Sequence, residues 1–102
     1  MRHTENEIAC AVAKFLMTLP SKRAPVRDIR QALPRFIQLS ADDRAPSSTR
    51  KGEEMWEQQV RNIVSHKDAE GNWINEGYLK RPAPGILEVT VEGEAATALV
   101  TA

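Results

Sequence analysis

The chain has 102 residues and is 41% hydrophobic, so it has the size of one compact domain and is too short for two. Its 14 basic and 14 acidic residues cancel, and a single cysteine, Cys10, excludes an internal disulfide bond and a cysteine-rich zinc site. No apolar stretch is long enough for a signal peptide or a membrane span, so we expect a cytoplasmic protein without a membrane partner.

The first predicted helix follows Thr4, because Thr4 and Glu7 have the spacing of an N-terminal capping box. Apolar residues recur behind this box at helical spacing until Pro20, which ends the pattern. Cys10 lies on the apolar stripe, where we expect a buried and unreactive thiol. His3 precedes the helix and is expected to be a solvated terminal histidine.

A second helix is predicted after a short basic connection over residues 21–24, with Pro25 at its first position. One side of this helix is apolar, and the other carries Arg27, Arg30 and, beyond the break at Pro34, Arg35. These arginines form either a solvated cationic face or a set of phosphate contacts, as in helix-turn-helix proteins that grip the backbone beside a groove.

Residues 48–67 predict an amphipathic third helix, on which the functional interpretation depends. Its start is expected at Ser48 or Thr49, or later near Gly52. One face carries the apolar residues Trp56, Val60, Ile63 and Val64. The opposite face carries side chains that suit contact with DNA, namely Gln58, Arg61, Asn62 and Ser65.

The polar face suggests specific contacts with a duplex, although exposed polar residues on a helix need no partner. Gln58 and Asn62 lie one turn apart and can each offer an amide to adenine, while Arg61 can reach guanine or a phosphate. Ser65 and His66 are expected nearer the DNA backbone. In an alternative reading, Asn62 and His66 hold the following turn through local hydrogen bonds.

The start of the third helix combines charges of both signs. Arg50 and Lys51 are expected at its mouth, where a helix N-terminus already attracts phosphate. Acidic residues follow in the first turn, so direct contact with DNA is expected only from Gln58 onward. These acids, which suit the helix dipole better than a metal site, are Glu53, Glu54 and Glu57.

The last third of the chain predicts a turn, a β-hairpin and a final helix. Residues 82–85 form the proline-rich tip of the hairpin, and Ile86–Thr90 return as the partner strand. Lys80 and Arg81 beside the tip would clamp phosphates, unless the basic hairpin only protects an edge strand. Thr90 can cap the final helix, although Gly93 weakens its first turn.

The order helix, helix, helix, strand, strand, helix predicts a mostly helical α+β fold. We interpret residues 1–102 as a single winged helix-turn-helix domain with three helices, a two-stranded β-hairpin wing and a C-terminal helix. The chain resembles the N-terminal winged helix domain of Mrr-type restriction proteins. The resemblance lies in Trp56, in residues 61–66, in Gly71-Asn72, in Gly77-Tyr78 and in residues 85–93.

This resemblance implies that the third helix, over about residues 53–66, enters a major groove of double-stranded DNA and that the wing, over about residues 78–90, lies along phosphates. It also implies that any nuclease chemistry belongs to a separate effector domain or subunit of a restriction or regulatory system. The zero net charge and the acidic C-terminal segment favour an alternative, a winged helix that mediates protein interaction or homodimerisation without binding DNA.

No enzymatic activity, cofactor or metal is expected. The two histidines lie far apart in the sequence, and there is no glycine-rich phosphate loop or nucleophile elbow. The distribution of charge in the fold discriminates between the two functions. Arg27, Arg30, Arg61, Lys80 and Arg81 on one face would favour DNA, whereas the acids of the third helix interleaved among them would favour protein interaction.

Overall fold

The computed structural model describes residues 1–101, which form a mostly helical α+β fold with four α-helices and a three-stranded antiparallel sheet. The strands lie in the order β1-β3-β2. The elements in chain order are α1 (Glu5–Met17), β1 (Arg23–Pro25), α2 (Val26–Ala32), a short 3₁₀ helix (Leu33–Arg35), α3 (Met55–Ser65), β2 (Leu79–Ala83), β3 (Ile86–Val89) and α4 (Val91–Thr101).

Helix α1 is the centre of the fold and packs against α3, α4 and the sheet. The predicted capping box is confirmed, because Thr4 Oγ1 accepts the N–H of Glu7 at 3.1 Å and the Glu7 carboxylate accepts the N–H of Thr4 at 2.8 Å. Cys10 is buried, and this burial raises the pKa of its thiol. The fully buried apolar side chains of the core include Ile8, Val12, Leu16, Ile29, Leu33, Ile63, Leu79 and Leu87.

The prediction that residues 21–24 form only a connection between α1 and α2 was wrong, because strand β1 begins at Arg23. Arg23 pairs with Glu88, Ala24 with Leu87 and Pro25 with Ile86. The strand has three residues and its partner lies near the other end of the chain, so no local period reveals it. Proline is tolerated here because β1 is an edge strand of the sheet.

Helix α3 begins at Met55, later than any of the predicted starts. The preceding backbone is used in a turn-back instead, in which Ser47 N–H donates to Glu53 O at 2.7 Å and Met55 N–H donates to Ala45 O at 2.8 Å. Gly52, with φ +82°, allows the reversal. Backbone groups that would have opened a helix therefore bond across this loop.

The predicted hairpin is confirmed, with β2 and β3 antiparallel. Its tip is shorter than predicted, because Ala83 pairs with Ile86 and leaves a two-residue turn, Pro84-Gly85. The Gly85 carbonyl accepts the N–H of Val26 at 2.8 Å, which holds this turn against the start of α2. The Thr90 cap of α4 is also confirmed, since Thr90 Oγ1 accepts the N–H of Gly93 at 2.9 Å.

His3 is not a solvated terminal residue as predicted, because it binds the buried side chain of Asp43. The His3 N–H donates to Asp43 Oδ1 at 2.7 Å, and His3 Nδ1 lies 2.6 Å from Oδ2. Ser40 N–H donates to Oδ2 at 2.8 Å, while the Asp43 carbonyl accepts the N–H of Trp56 at 2.9 Å. Asp43 thus ties the N-terminal segment, the loop before α3 and α3 itself together.

Stability is expected to fall in acid because of Asp43. Burial alone would raise the pKa of its carboxyl, but hydrogen bonds from Ser40 and His3 lower it from 3.8 to about 2. A lowered folded-state pKa contributes about 2 kcal/mol of stability above pH ~4, and this contribution is lost as the pH falls towards about 2. We expect Asp43→Asn to lower the free energy of unfolding by about 2 kcal/mol at pH 7 and by much less near pH 2.

Urea unfolding at both pH values measures this difference. Asp42→Asn is the matched control, because Asp42 is exposed and its substitution is expected to change stability little at either pH. An equal loss at both pH values for Asp43→Asn would show that the carboxylate charge is not what stabilises the fold.

Candidate nucleic-acid interface

A cleft of about 270 Å³ opens between α2, α3, the loop before α3 and the turn of the hairpin. We call it the arginine cleft. Its lining residues are Arg30, Arg50, Arg61, Arg81, Val26, Val60, Val64 and Gly85, and none of them is acidic. Four arginines and three valines therefore line the cleft, and we call Val26, Val60 and Val64 its valine floor.

Each arginine reaches the cleft from a different element. Arg30 follows Val26 by one turn on α2, Arg61 lies on α3, Arg81 is on β2 and Arg50 is in the loop. The hydrogen bond between the Gly85 carbonyl and α2 fixes the hairpin turn beside the helices. The sheet and α2 together thus determine where Arg81 lies relative to α3.

Arg61 is held in place by an ion pair. Its Nη2 donates to Glu53 Oε1 at 2.9 Å and to Thr49 Oγ1 at 2.8 Å, and the Glu53 side chain is buried. The hydrogen bond from Arg61, which outweighs burial, lowers the pKa of the Glu53 carboxyl and raises the pKa of the Arg61 guanidinium. Arg61 is therefore charged and immobilised, but Glu53 compensates much of its charge.

The other three arginines of the cleft lack an ion-pair partner among the described residues, although the charge of Arg50 helps to lower the pKa of the Glu53 carboxyl. Among residues 1–101, no ion pair joins Arg30, Arg50 or Arg81 to a carboxylate. Arg50 and Arg81 are exposed and Arg30 is half-buried. The cleft is consequently a site of net positive charge on a chain whose total charge is zero.

The loop before α3 covers the first half of the polar face of that helix. Gln58 Oε1 accepts hydrogen bonds from Ser47 Oγ at 2.6 Å and Thr49 Oγ1 at 3.3 Å. Further along α3, the side chain of Asn62 makes a long contact of 3.5 Å with Gln59 and no other hydrogen bond within residues 1–101, and Ser65 is exposed. The face that α3 offers to a ligand is therefore centred on Asn62 and Ser65 rather than on Gln58.

Besides Lys80, two predicted cations, Lys51 and Arg27, lie outside the arginine cleft. Lys51 is exposed in the loop and does not line the cleft, although its neighbour Arg50 does. Arg27 is largely exposed, lies 3.8 Å from the carboxylate of Asp28, and shares a neighbouring pocket with Arg30 and Glu57. The expectation that Arg50 and Lys51 stand at the mouth of α3 was wrong, because the helix begins only at Met55.

Lys80 and Arg23 share the carboxylate of Glu88 within the sheet. Its Nζ lies 3.1 Å from Glu88 Oε2, and Arg23 on the opposite neighbouring strand lies 2.6 Å from Glu88 Oε1. The hydrogen bond from Lys80 outweighs burial and, with the charge of Arg23, lowers the pKa of the Glu88 carboxyl. Lys80 and Arg81 therefore differ, since only Arg81 lines the cleft.

His66 joins the end of α3 to the start of α1. Its Nδ1 lies 2.7 Å from Glu5 Oε1, and Asn72 Nδ2 donates to the other oxygen of Glu5 at 3.1 Å. These residues line a separate pocket of about 260 Å³ with Thr4 and Glu70. His66 therefore has a structural partner, as the alternative interpretation expected, and not a free position beside the DNA backbone. That partner, Glu5, is distant in the sequence rather than local.

The charge distribution combines features of both expected functions. Arg30, Arg61 and Arg81 share the arginine cleft, while Glu53 pairs with Arg61 and Glu57 lies beside Arg27. Sequence reasoning missed the valine floor, because apolar residues at helical spacing are indistinguishable from core residues. It predicted a loop over residues 44–49 but not that the loop continues to Glu54 and covers part of α3.

Within residues 1–101, no group of three or more His, Cys, Asp or Glu side chains is arranged to hold a metal ion. No helix in this part of the chain has both the length and the apolar character required to cross a membrane. Comparison of the chain with known protein families, curated proteins and solved structures finds no match.

Proposed function

We propose that the chain is a cytoplasmic DNA-binding module of the winged helix type, which contacts double-stranded DNA through α3 and the β2–β3 hairpin. The observation that carries the proposal is the arginine cleft, where four arginines from separate elements meet without an acidic lining residue. A protein of zero net charge that concentrates uncompensated cations at one place is suited to a polyanionic ligand.

The contacts that we propose divide into positioning and readout. Arg30, Arg50 and Arg81 would bind phosphates, for which the planar guanidinium fork is well matched. Asn62 would offer its amide to a base edge in the major groove, with Ser65 beside it. Gln58 would contribute only after it leaves its hydrogen bonds with the loop.

The order of elements supports the winged helix interpretation. The hairpin follows α3, lines the same cleft as α3, and is joined by β1 into one sheet. The resemblance to the N-terminal domain of Mrr-type restriction proteins would place such a module in a restriction or regulatory system, with any catalytic step in a separate domain or subunit.

A salt series of duplex binding tests the proposal. Affinity is expected to fall steeply as salt rises, and Arg81→Ala is expected to weaken binding to every sequence by about fivefold to tenfold, with a shallower salt slope. Asn62→Ala should instead reduce the preference among sequences by about tenfold. Fluorescence anisotropy with labelled duplexes measures both effects.

Arg35→Ala is the matched control, because Arg35 is an exposed arginine that does not line the cleft. This variant should bind almost as well as the unchanged protein. Absence of duplex binding even at low salt would overturn the proposal.

A protein-interaction or homodimerisation module is the second candidate. Helix α4 exposes large apolar side chains, with Val91 78%, Leu99 81% and Val100 58% exposed. The pairing of Glu53 with Arg61 also reduces the charge available for DNA. Sedimentation equilibrium without DNA discriminates between the two, since dimerisation combined with absence of duplex binding would favour this alternative.

A further inference from the structure

We propose that the arginine cleft accepts one unpaired nucleotide, whose phosphate pairs with the arginines and whose base lies on the valine floor. The inference rests on the proposed function and specifies the form of nucleic acid that this site takes. Two forms of DNA contain such an unpaired nucleotide, namely a duplex with a single-stranded extension and a fully single-stranded DNA.

The valine floor is the first reason. Val60 is buried, Val26 and Val64 are half-buried, and all three line the cleft together with the four arginines, so the lining is both apolar and cationic. Phosphates on the surface of an intact duplex would use the arginines and leave the valine floor in contact with water. A ligand that covers both needs an anionic group next to a flat, weakly polar body, which is the chemistry of a nucleotide.

The size of the cleft is the second reason. Its volume of about 270 Å³ is close to the lower limit of small-molecule sites, roughly 300 Å³. A base with its sugar and phosphate is of this order of size, whereas a base pair within a stacked duplex is much larger. A single unstacked nucleotide therefore matches the size of the cleft better than a base pair within a duplex does.

The third reason is the division between fixed and free guanidinium groups. Arg61 is held by Glu53 and Thr49 and lines the cleft with Val60 and Val64, so its side chain is fixed before a ligand binds and can stack on a base. Arg30, Arg50 and Arg81 form no ion pair among residues 1–101 and remain for the phosphate. Arg61 would thus position the base, while the other three arginines of the cleft would neutralise the phosphate.

The experiment compares three labelled DNAs by anisotropy. They are a blunt duplex, the same duplex with a short single-stranded extension, and the same extended duplex with abasic sites throughout the extension. We expect the extension to tighten binding by about tenfold, because base contacts of this type contribute strongly to single-strand affinity. The abasic extension keeps its phosphates but should lose most of this advantage.

Each outcome decides the inference. If the abasic and normal extensions bind equally well, phosphate contact alone accounts for the cleft and the inference is overturned. If the extended and blunt duplexes bind equally, the inference fails while the proposed duplex binding stands. If a fully single-stranded DNA binds in a base-dependent way and no duplex binds, the inference stands and the proposed function fails; if nothing binds, both fail.

A pair of variants locates the effect. Val64→Thr keeps the shape of the floor but adds a hydroxyl group, and it should reduce the ratio between extended and blunt duplex affinity by several-fold. Val91→Thr makes the same change at an exposed position of α4 outside the cleft and should leave the ratio unaltered. Should Val64→Thr fail to fold, the abasic comparison on the unchanged protein still decides the question.

Discussion

Replacing Arg30 and Arg81 together with glutamate is expected to lower the affinity for duplex DNA at moderate salt by about 100-fold or more. Both arginines line the arginine cleft and neither is paired with a carboxylate within the described residues. The substitution removes two cations that release counterions from DNA and introduces two anions that repel its phosphates.

The salt dependence should change together with the affinity. Loss of two phosphate contacts should reduce the slope of log affinity against log salt by about two. The fold should be retained, because Arg81 is exposed and Arg30 is half-buried without an ion pair to break. Circular dichroism and urea unfolding check this before binding is compared.

A double variant with the same charge change provides the control. Arg2 and Arg35 are exposed and lie outside the cleft, so Arg2→Glu combined with Arg35→Glu alters the net charge equally. This control should lose much less affinity than the cleft variant. Equal losses in the two double variants would mean that total charge governs binding and that the arginine cleft has no special role.

The Gly93→Ala substitution is expected to lower the free energy of unfolding by about 3 kcal/mol. On helix propensity alone the sign would be opposite, because alanine is favoured over glycine inside a helix by about 1 kcal/mol. The reason lies in packing. A Cβ atom at position 93 would overlap the carbonyl oxygen of Tyr78 and lie 2.9 Å from its carbonyl carbon.

The Tyr78 carbonyl group, which a Cβ atom at position 93 would meet, is held in place by hydrogen bonds. The Tyr78 carbonyl accepts the backbone N–H and the hydroxyl of Thr90, both at 3.1 Å, so it cannot move without losing the contacts that start α4. Helix α4 would instead have to withdraw from the segment that leads into β2. Since α4 also packs against α1, the withdrawal would disturb the core.

Urea unfolding measures this effect, and Ala95→Gly at an exposed position of α4 is the reverse control. The control should lose only about 1 kcal/mol, as propensity predicts. An increase in stability for Gly93→Ala would show that the close approach to Tyr78 is not a real constraint.

Local sequence signals predicted the local features of this protein well. The box formed by Thr4 and Glu7, the cap at Thr90 and the hairpin around Pro84-Gly85 each depend on residues within a few positions of one another. The apolar period of α3 likewise identified its buried side, where Trp56, Val60 and Ile63 lie. Short-range hydrogen bonding and periodicity are sufficient for features of this kind.

Long-range pairing accounts for the features that the sequence did not predict. Strand β1 depends on β3 near the far end of the chain, and His3 depends on Asp43. Lys80 looked equivalent to its neighbour Arg81, but Lys80 forms an ion pair with Glu88 across the hairpin and does not line the cleft. His66 was expected near the DNA backbone, yet its side chain binds Glu5 near the start of the chain.

The sequence by itself therefore determined the helices, their buried faces, the hairpin and the presence of exposed arginines, because nearest-neighbour chemistry encodes these properties. Only the tertiary structure decided which arginines meet at the valine floor and which of them is paired with a carboxylate. The elements that carry Arg30, Arg50, Arg61 and Arg81 are brought together by the sheet register and by the hydrogen bond between Gly85 and Val26. Contacts between residues so distant in sequence have no periodic or spacing signal, so they become visible only once the chain is folded.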